Sequence, residues 1–156
     1  MGRLTLLIAA LASIACGPPS KNAPKEADKP VRVTVVVILA STQHKTINPK
    51  LKTLAEEVQK RDKEFTGFKI SATLDKSIPV GGTHSFGLPE DQTAKVTVTQ
   101  GKDKDGRIEL TVRLPGLDDV TYSCVCDKFF PVATPYKLKS GETVMVAILA
   151  KPCTGK

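Results

Sequence analysis

Cysteine is the residue type whose placement in this chain invites a chemical reading. Cys124-Val125-Cys126 puts two thiols at alternate positions of a predicted strand, so both point to one face, and Cys153 follows the last predicted strand. In an oxidising compartment the expected outcome is a disulfide from Cys153 to Cys124 or to Cys126. It would close a loop of roughly 30 residues and stabilise the fold by about 3–4 kcal/mol on the chain-entropy account. A bridge between Cys124 and Cys126 is disfavoured, because same-face neighbours on a flat strand lie nearly 7 Å apart, roughly the upper limit of disulfide geometry. The alternative is a soft-metal site, with Cys124, Cys126 and Cys153 as thiolates and His84 or His44 as a fourth ligand for copper(I) or zinc. Cys-x-Cys lacks the two-residue spacing of zinc knuckles and of thioredoxin-like redox motifs, and Met145 is the one methionine besides Met1.

Hydrolytic chemistry finds less support. With His44 and His84 as the available imidazoles, a Ser or Cys nucleophile would need one of them beside a carboxylate such as Asp91 or Asp127. His84-Ser85 lies in a Gly-rich stretch, but Thr83 stands where a nucleophile elbow requires glycine. The chain has no phosphate loop, no dinucleotide fingerprint and no His-Glu-x-x-His motif, so no catalytic residue is assigned and no cofactor is expected. Asp103, Asp105 and Gly106 read as a hairpin turn, since a helix-loop-helix calcium loop places its glycine sixth and here it is fourth.

Cys16 has a different setting. Arg3 leads into an apolar run over residues 4–11, followed by Ala12-Ser13-Ile14-Ala15. One positive charge, a short apolar core and small terminal residues make residues 1–15 a signal peptide, too short to span a bilayer as a helix. Ser13-Ile14-Ala15 satisfies the small-x-small cleavage rule, and with Cys16 behind it the stretch resembles a bacterial lipobox, with Ser13 where that pattern carries an aliphatic residue. The resemblance implies lipidation of Cys16, including a palmitate-type acyl chain, and anchoring in a membrane. Cleavage without lipidation would give a soluble periplasmic or secreted protein. Residues 16–30 contain Pro18, Pro19, Pro24 and Pro30 and no aliphatic larger than alanine, the composition of a disordered tether. As a whole the chain resembles small exported or lipobox-bearing bacterial proteins without a characterised family, a likeness of architecture that implies no ligand residues.

The formal net charge is +7, and removal of the leader takes away Arg3 alone among the charged residues, leaving about +6. The cations are interleaved with acids, as in Lys60, Arg61 and Lys63 among Glu57, Asp62 and Glu64, which is the pattern of a solvated face. No Trp, five Phe and two Tyr are too few stacking residues for a nucleic-acid groove, and no nucleic-acid partner is expected. The partners expected are the membrane, through the lipid anchor, and an envelope protein or an anionic cell-wall polymer. The function expected is that of a noncatalytic binding or structural module of the bacterial cell envelope, with soft-metal binding as the alternative.

Residues 31–153 have the length of one domain with one core, followed by a short tail over 154–156. Residues 31–40 begin with alternation and end as a continuous β-branched run, a strand covered on both faces in its second half; residues 143–150 share that character and are expected beside them. Asn48-Pro49 supplies a cap and a first-turn proline, and Leu51, Leu54, Ala55 and Val58 recur at helical spacing, predicting a helix over residues 49–62. Alternating segments at 68–74, 94–100, 107–114 and 120–126 complete about six strands, with a possible short one over 84–86. The expected fold is a single α+β domain, a mostly antiparallel sheet with one helix packed on it after a β-α-β opening; a β-sandwich with one inserted helix is the alternative.

Overall fold

The structure is a computed structural model and describes residues 26–153; the expected leader, Cys16, most of the tether and the tail over 154–156 lie outside these residues. Eight strands form two four-stranded antiparallel sheets, and one helix sits outside the first of them. Sheet order in the first is β2 (Gly67–Ile78), β1 (Val31–Ser41), β8 (Thr143–Pro152) and β7 (Phe130–Lys137). The second runs β3 (Thr83–Gly87), β4 (Thr93–Gln100), β5 (Arg107–Arg113) and β6 (Val120–Val125). One helix on mostly antiparallel sheet is the α+β composition expected, arranged as a sandwich with eight strands rather than six.

The pattern of β1 shows why. Val31, Val33, Val35, Val37 and Leu39 point between the sheets and are buried, while Arg32 and Thr34 point outward. From Val36 onward the outward side chains, Val36, Ile38 and Ala40, are buried too, because helix α1 (Lys52–Arg61) covers that half of the outer face. The change from alternating to continuous hydrophobicity marks where cover begins. β8 repeats the arrangement antiparallel to β1, with Val144, Val146, Ile148 and Ala150 inward and Met145 and Ala147 outward.

Two buried clusters result. The larger fills the space between the sheets and draws on Phe86, Ala94, Val96, Val98, Ile108 and Leu110 from the second sheet. The smaller lies beneath α1, where Leu51 and Ala55 meet Ile38, Met145 and the fully buried Phe68. The helix is set by local chemistry: Asn48 Oδ1 accepts from the Lys50 N–H at 3.0 Å, Pro49 opens a 3-10 turn (Pro49–Leu51), and the α-helix closes with the Asp62 N–H on the Val58 carbonyl.

The connections also follow from sequence. Gly106 adopts φ +73° at the β4–β5 turn, and Asp103 Oδ1 accepts from the Asp105 and Arg107 N–H groups at 2.9 Å each. That carboxylate organises the turn. Glu26–Asp28, which the sequence assigns to the tether, form a 3-10 turn that crosses Gly101 so closely that a β-carbon there would collide with the Ala27 carbonyl. No helix among the described residues is long and apolar enough to cross a membrane.

Candidate functional site

The sandwich brings the start of β1, the end of β8 and the β4–β5 and β6–β7 turns to one end. Asp127, held at φ +62° just after β6, donates its N–H to the Ala150 carbonyl at 3.1 Å and so ties the second sheet to β8 of the first. Between these elements opens a cavity of about 500 Å³, with a lining that includes Arg32, Lys102, Lys151, Cys126, Cys153 and Ser77. Cys126 and Cys153, widely separated in sequence, therefore face one cavity. The Cys153 N–H donates to the Pro30 carbonyl at 2.8 Å, which seats this cavity where the N-terminal segment joins the domain.

Arg32 and Lys151 are direct register partners on β1 and β8 and both point outward. Two cations opposed across a ladder repel, and Asp75 on β2 relieves them. Arg32 Nε donates to Asp75 Oδ2 at 2.7 Å, and Thr34 Oγ1 donates to Oδ1 at 3.1 Å. The hydrogen bond from Arg32 is the main reason the Asp75 carboxyl titrates below its ordinary range. A carboxylate depressed in the folded state stabilises above its unfolded pKa, and that contribution is lost as pH falls through the folded value. Asp75→Asn is therefore expected to flatten the acid limb of the stability curve. Denaturant unfolding at neutral pH and at pH about 3 measures this, and parallel acid limbs for the two proteins would contradict it.

The three described cysteines are free thiols in different surroundings. Cys124 is buried on the inner face and donates from Sγ to the Ile108 carbonyl at 3.1 Å; desolvation pushes its pKa up to about 11. Cys126 lies beyond the end of β6, half-buried; burial raises its pKa, opposed chiefly by the nearby Lys102 ammonium. Cys153 Sγ lies 3.1 Å from Ser77 Oγ. No disulfide joins cysteines among the described residues, and no group of three or more His, Cys, Asp or Glu side chains among them is placed to hold a metal ion.

The histidines stand apart from the thiols. His84, on edge strand β3, packs edge-on against Phe86 at 5.0 Å between ring centroids. His44 lies at the opposite end of the sandwich, where Glu142, rather than Asp91 or Asp127, is its carboxylate neighbour at 3.7 Å. Glu142 also takes Lys69 Nζ at 2.8 Å and Ser140 Oγ at 3.1 Å. A β-carbon at Gly67 would collide with the His44 ring at Nδ1, so only glycine lets β2 pass the ring this closely.

Sequence reasoning missed Arg32, Ser77, Lys102 and Lys151. Arg32 and Lys151 had a signal: each is a cation in the uncovered part of an otherwise apolar strand, and the two strands were expected side by side. No family model matches the chain, and no curated protein and no solved structure matches it.

Proposed function

We propose that the protein is an exported, membrane-tethered, noncatalytic binding module of the bacterial cell envelope, whose cavity beside the tether takes an anionic group of a surface polymer or lipid. The observation that carries this reading is that cavity and N-terminal segment meet at one end, through the bond from Cys153 to Pro30. A lipid on Cys16 would be followed by 15 residues of chain before β1, which reach at most about 50 Å and keep the cavity near the envelope surface. Of the charged residues that line it, Arg32, Lys102 and Lys151 are cations, Arg32 being held in place by Asp75, and they outnumber the carboxylate of Asp127. A cationic concavity concentrates anionic partners without a specific motif.

Intact mass and detergent-phase partitioning of the chain recovered from membranes test the anchoring. The expected mass is that of the chain from Cys16 onward plus diacylglyceryl and acyl groups, and Cys16→Ala is expected to move the protein to the aqueous phase. An unmodified Cys16 would overturn the anchoring. For the cavity, Lys151→Glu is expected to weaken binding to vesicles containing anionic lipid or to teichoic-type polymer several-fold, with a steep salt dependence. Equal binding by parent and variant would overturn the cavity's role.

A further inference from the structure

The row of the first sheet at which cover by α1 begins is left open along one side. It runs straight across the four strands: Thr73 of β2 is opposite Val36 of β1, Val36 is opposite Ala147 of β8, and Ala147 is opposite Pro131 of β7. These four residues floor a groove of about 460 Å³, bounded by Leu51 and Leu54 on the helix side and by Phe129 at the β7 end. Val36 and Ala147 are buried, whereas Phe129 is the most exposed large hydrophobic among the described residues, at 51%. An aromatic ring half in water beside an apolar floor is surface that gains free energy when covered. The volume and the mostly apolar lining are those of a small-molecule site.

Charge gives the groove a direction. The segment before the helix lies along the outer edge of β2, where Ile47 pairs with Phe68 and the Asn48 N–H donates to the Phe68 carbonyl, so Lys50 stands at the β2 end. α1 then crosses the strands and brings Glu57 to the β7 end, where it also borders a second concavity with Tyr122 and Phe130. Neither Lys50 nor Glu57 has an ion-pair partner among the described residues. A negative group is attracted at one end and repelled at the other, so a ligand with a single anionic head has one favoured orientation. The backbone narrows the class further. β1 and β8 are paired on both sides, so the floor presents no free N–H or C=O, and the hydroxyls of Thr53 and Thr73 are the polar groups besides the two charges. An extended peptide laid there would leave its own amides unpaired, whereas a hydrocarbon chain leaves nothing unpaired.

We infer that this groove binds a single fatty acid, with its carboxylate at Lys50 and its chain lying over Val36 and Ala147 toward Phe129. The row spans three strand spacings, about 14 Å, which is the extended length of roughly a dozen carbons joined by bonds of about 1.5 Å. Methylene groups leaving water for the apolar floor supply the affinity, and the ammonium of Lys50 sets the direction. The chain end covers the Phe129 ring and passes Glu57 without presenting a charge to it. The groove is separate from the cavity that Cys126 and Cys153 face: Asp75 and Thr34, paired outward residues of the next row, lie between the groove and Ser77 and Arg32. The inference therefore does not depend on what that cavity binds.

The test is calorimetric titration of dodecanoate, below its micellar concentration, into the full chain carrying Cys16→Ala in detergent-free buffer, so that no acyl chain is attached at residue 16. The expected result is saturation at one dodecanoate per chain, with dodecylammonium binding at least about tenfold more weakly. Lys50→Glu is expected to weaken dodecanoate binding at least about tenfold, while Lys104→Glu, the same charge change on the exposed β4–β5 turn, alters it less than about twofold. Thr73→Trp, at an exposed strand position that accepts an aromatic residue, fills the floor and is expected to abolish binding. Should that variant fail to keep its strand content by circular dichroism, Phe129→Ala decides, with an expected loss of at least about fivefold. Absence of saturable binding, which would leave the groove to another occupant such as the apolar run over residues 4–11, overturns the inference. So do equal affinity for dodecylammonium, equal weakening by Lys50→Glu and Lys104→Glu, and binding indifferent to the groove variants.

Discussion

Phe68→Ala is expected to destabilise the domain by roughly 3–5 kcal/mol, a large share of the total stability of a domain this size. Phe68 is fully buried under α1, meets Phe65 edge-on at 6.4 Å, and has its backbone bonded on both sides, N–H to Thr46 O and carbonyl from Asn48 N–H, each at 2.9 Å. Those bonds hold the segment before the helix against β2. Loss of the ring leaves a void that neighbours cannot close without moving α1. The measurement is the shift of the denaturant midpoint at constant slope, and a loss below about 1 kcal/mol would show that the helix contributes little to the fold.

The same cluster yields a sharper result. Ile38 belongs to the cluster beneath α1 and Ile108 to the one between the sheets. Ile38→Val and Ile108→Val are each expected to cost about 0.5–1.5 kcal/mol and, having no shared cluster, to add within about 0.5 kcal/mol. Non-additivity beyond that would mean that the cluster beneath α1 and the cluster between the sheets are mechanically coupled through the first sheet.

How far the sequence reveals this fold depends on where cover lies. β1 and β8 were legible because burial on two faces leaves a continuous apolar run, and two such runs belong together at the centre of a sheet. α1 was legible because its cap, its first-turn proline and its apolar stripe agree. β7 was not, because Pro131 and Pro135 suppress the strand pattern; an edge strand tolerates them, and its pairing with β8 indeed breaks between Ala133 and Lys137. Without β7, the division into two sheets of four cannot be deduced, since its presence gives the first sheet its second edge. The extra residues at the end of β2 were hidden by Asp75, Lys76 and Ser77, polar residues on the uncovered part of the sheet.

The thiols show the same limit at the candidate site. Strand parity places Cys124 and Cys126 on one face, but their depth depends on where β6 ends. Cys124 falls inside the ladder opposite Ile108, and Cys126 falls one residue past the end of the strand, beside the cavity. That Cys126 and Cys153 share a cavity rests on the tie from Asp127 to Ala150 across the two sheets, a contact between residues with no local pattern to announce it.

Alkylation in the folded state should leave Cys124 far behind Cys126 and Cys153. Iodoacetamide reacts with thiolate, and raising the Cys124 pKa from 9.0 to about 11 lowers its thiolate population about a hundredfold at pH 8 before access is considered. Its bond to the Ile108 carbonyl and its place in the inner cluster add the requirement that the β5–β6 ladder open. Cys126 and Cys153 face the cavity and need no such opening. Peptide mapping after brief labelling is expected to find Cys126 and Cys153 modified and Cys124 intact, with Cys124 reacting fully once denaturant is added. The same argument selects the partner of Cys153 under oxidising conditions: Cys124 is buried with a small thiolate population, whereas Cys126 faces the cavity together with Cys153, so the bridge is expected to Cys126. Cys126→Ser should then abolish it, while Cys124→Ser leaves it in place. Rapid native labelling of Cys124, or a bridge from Cys124 to Cys153, would require β6 to leave the inner core.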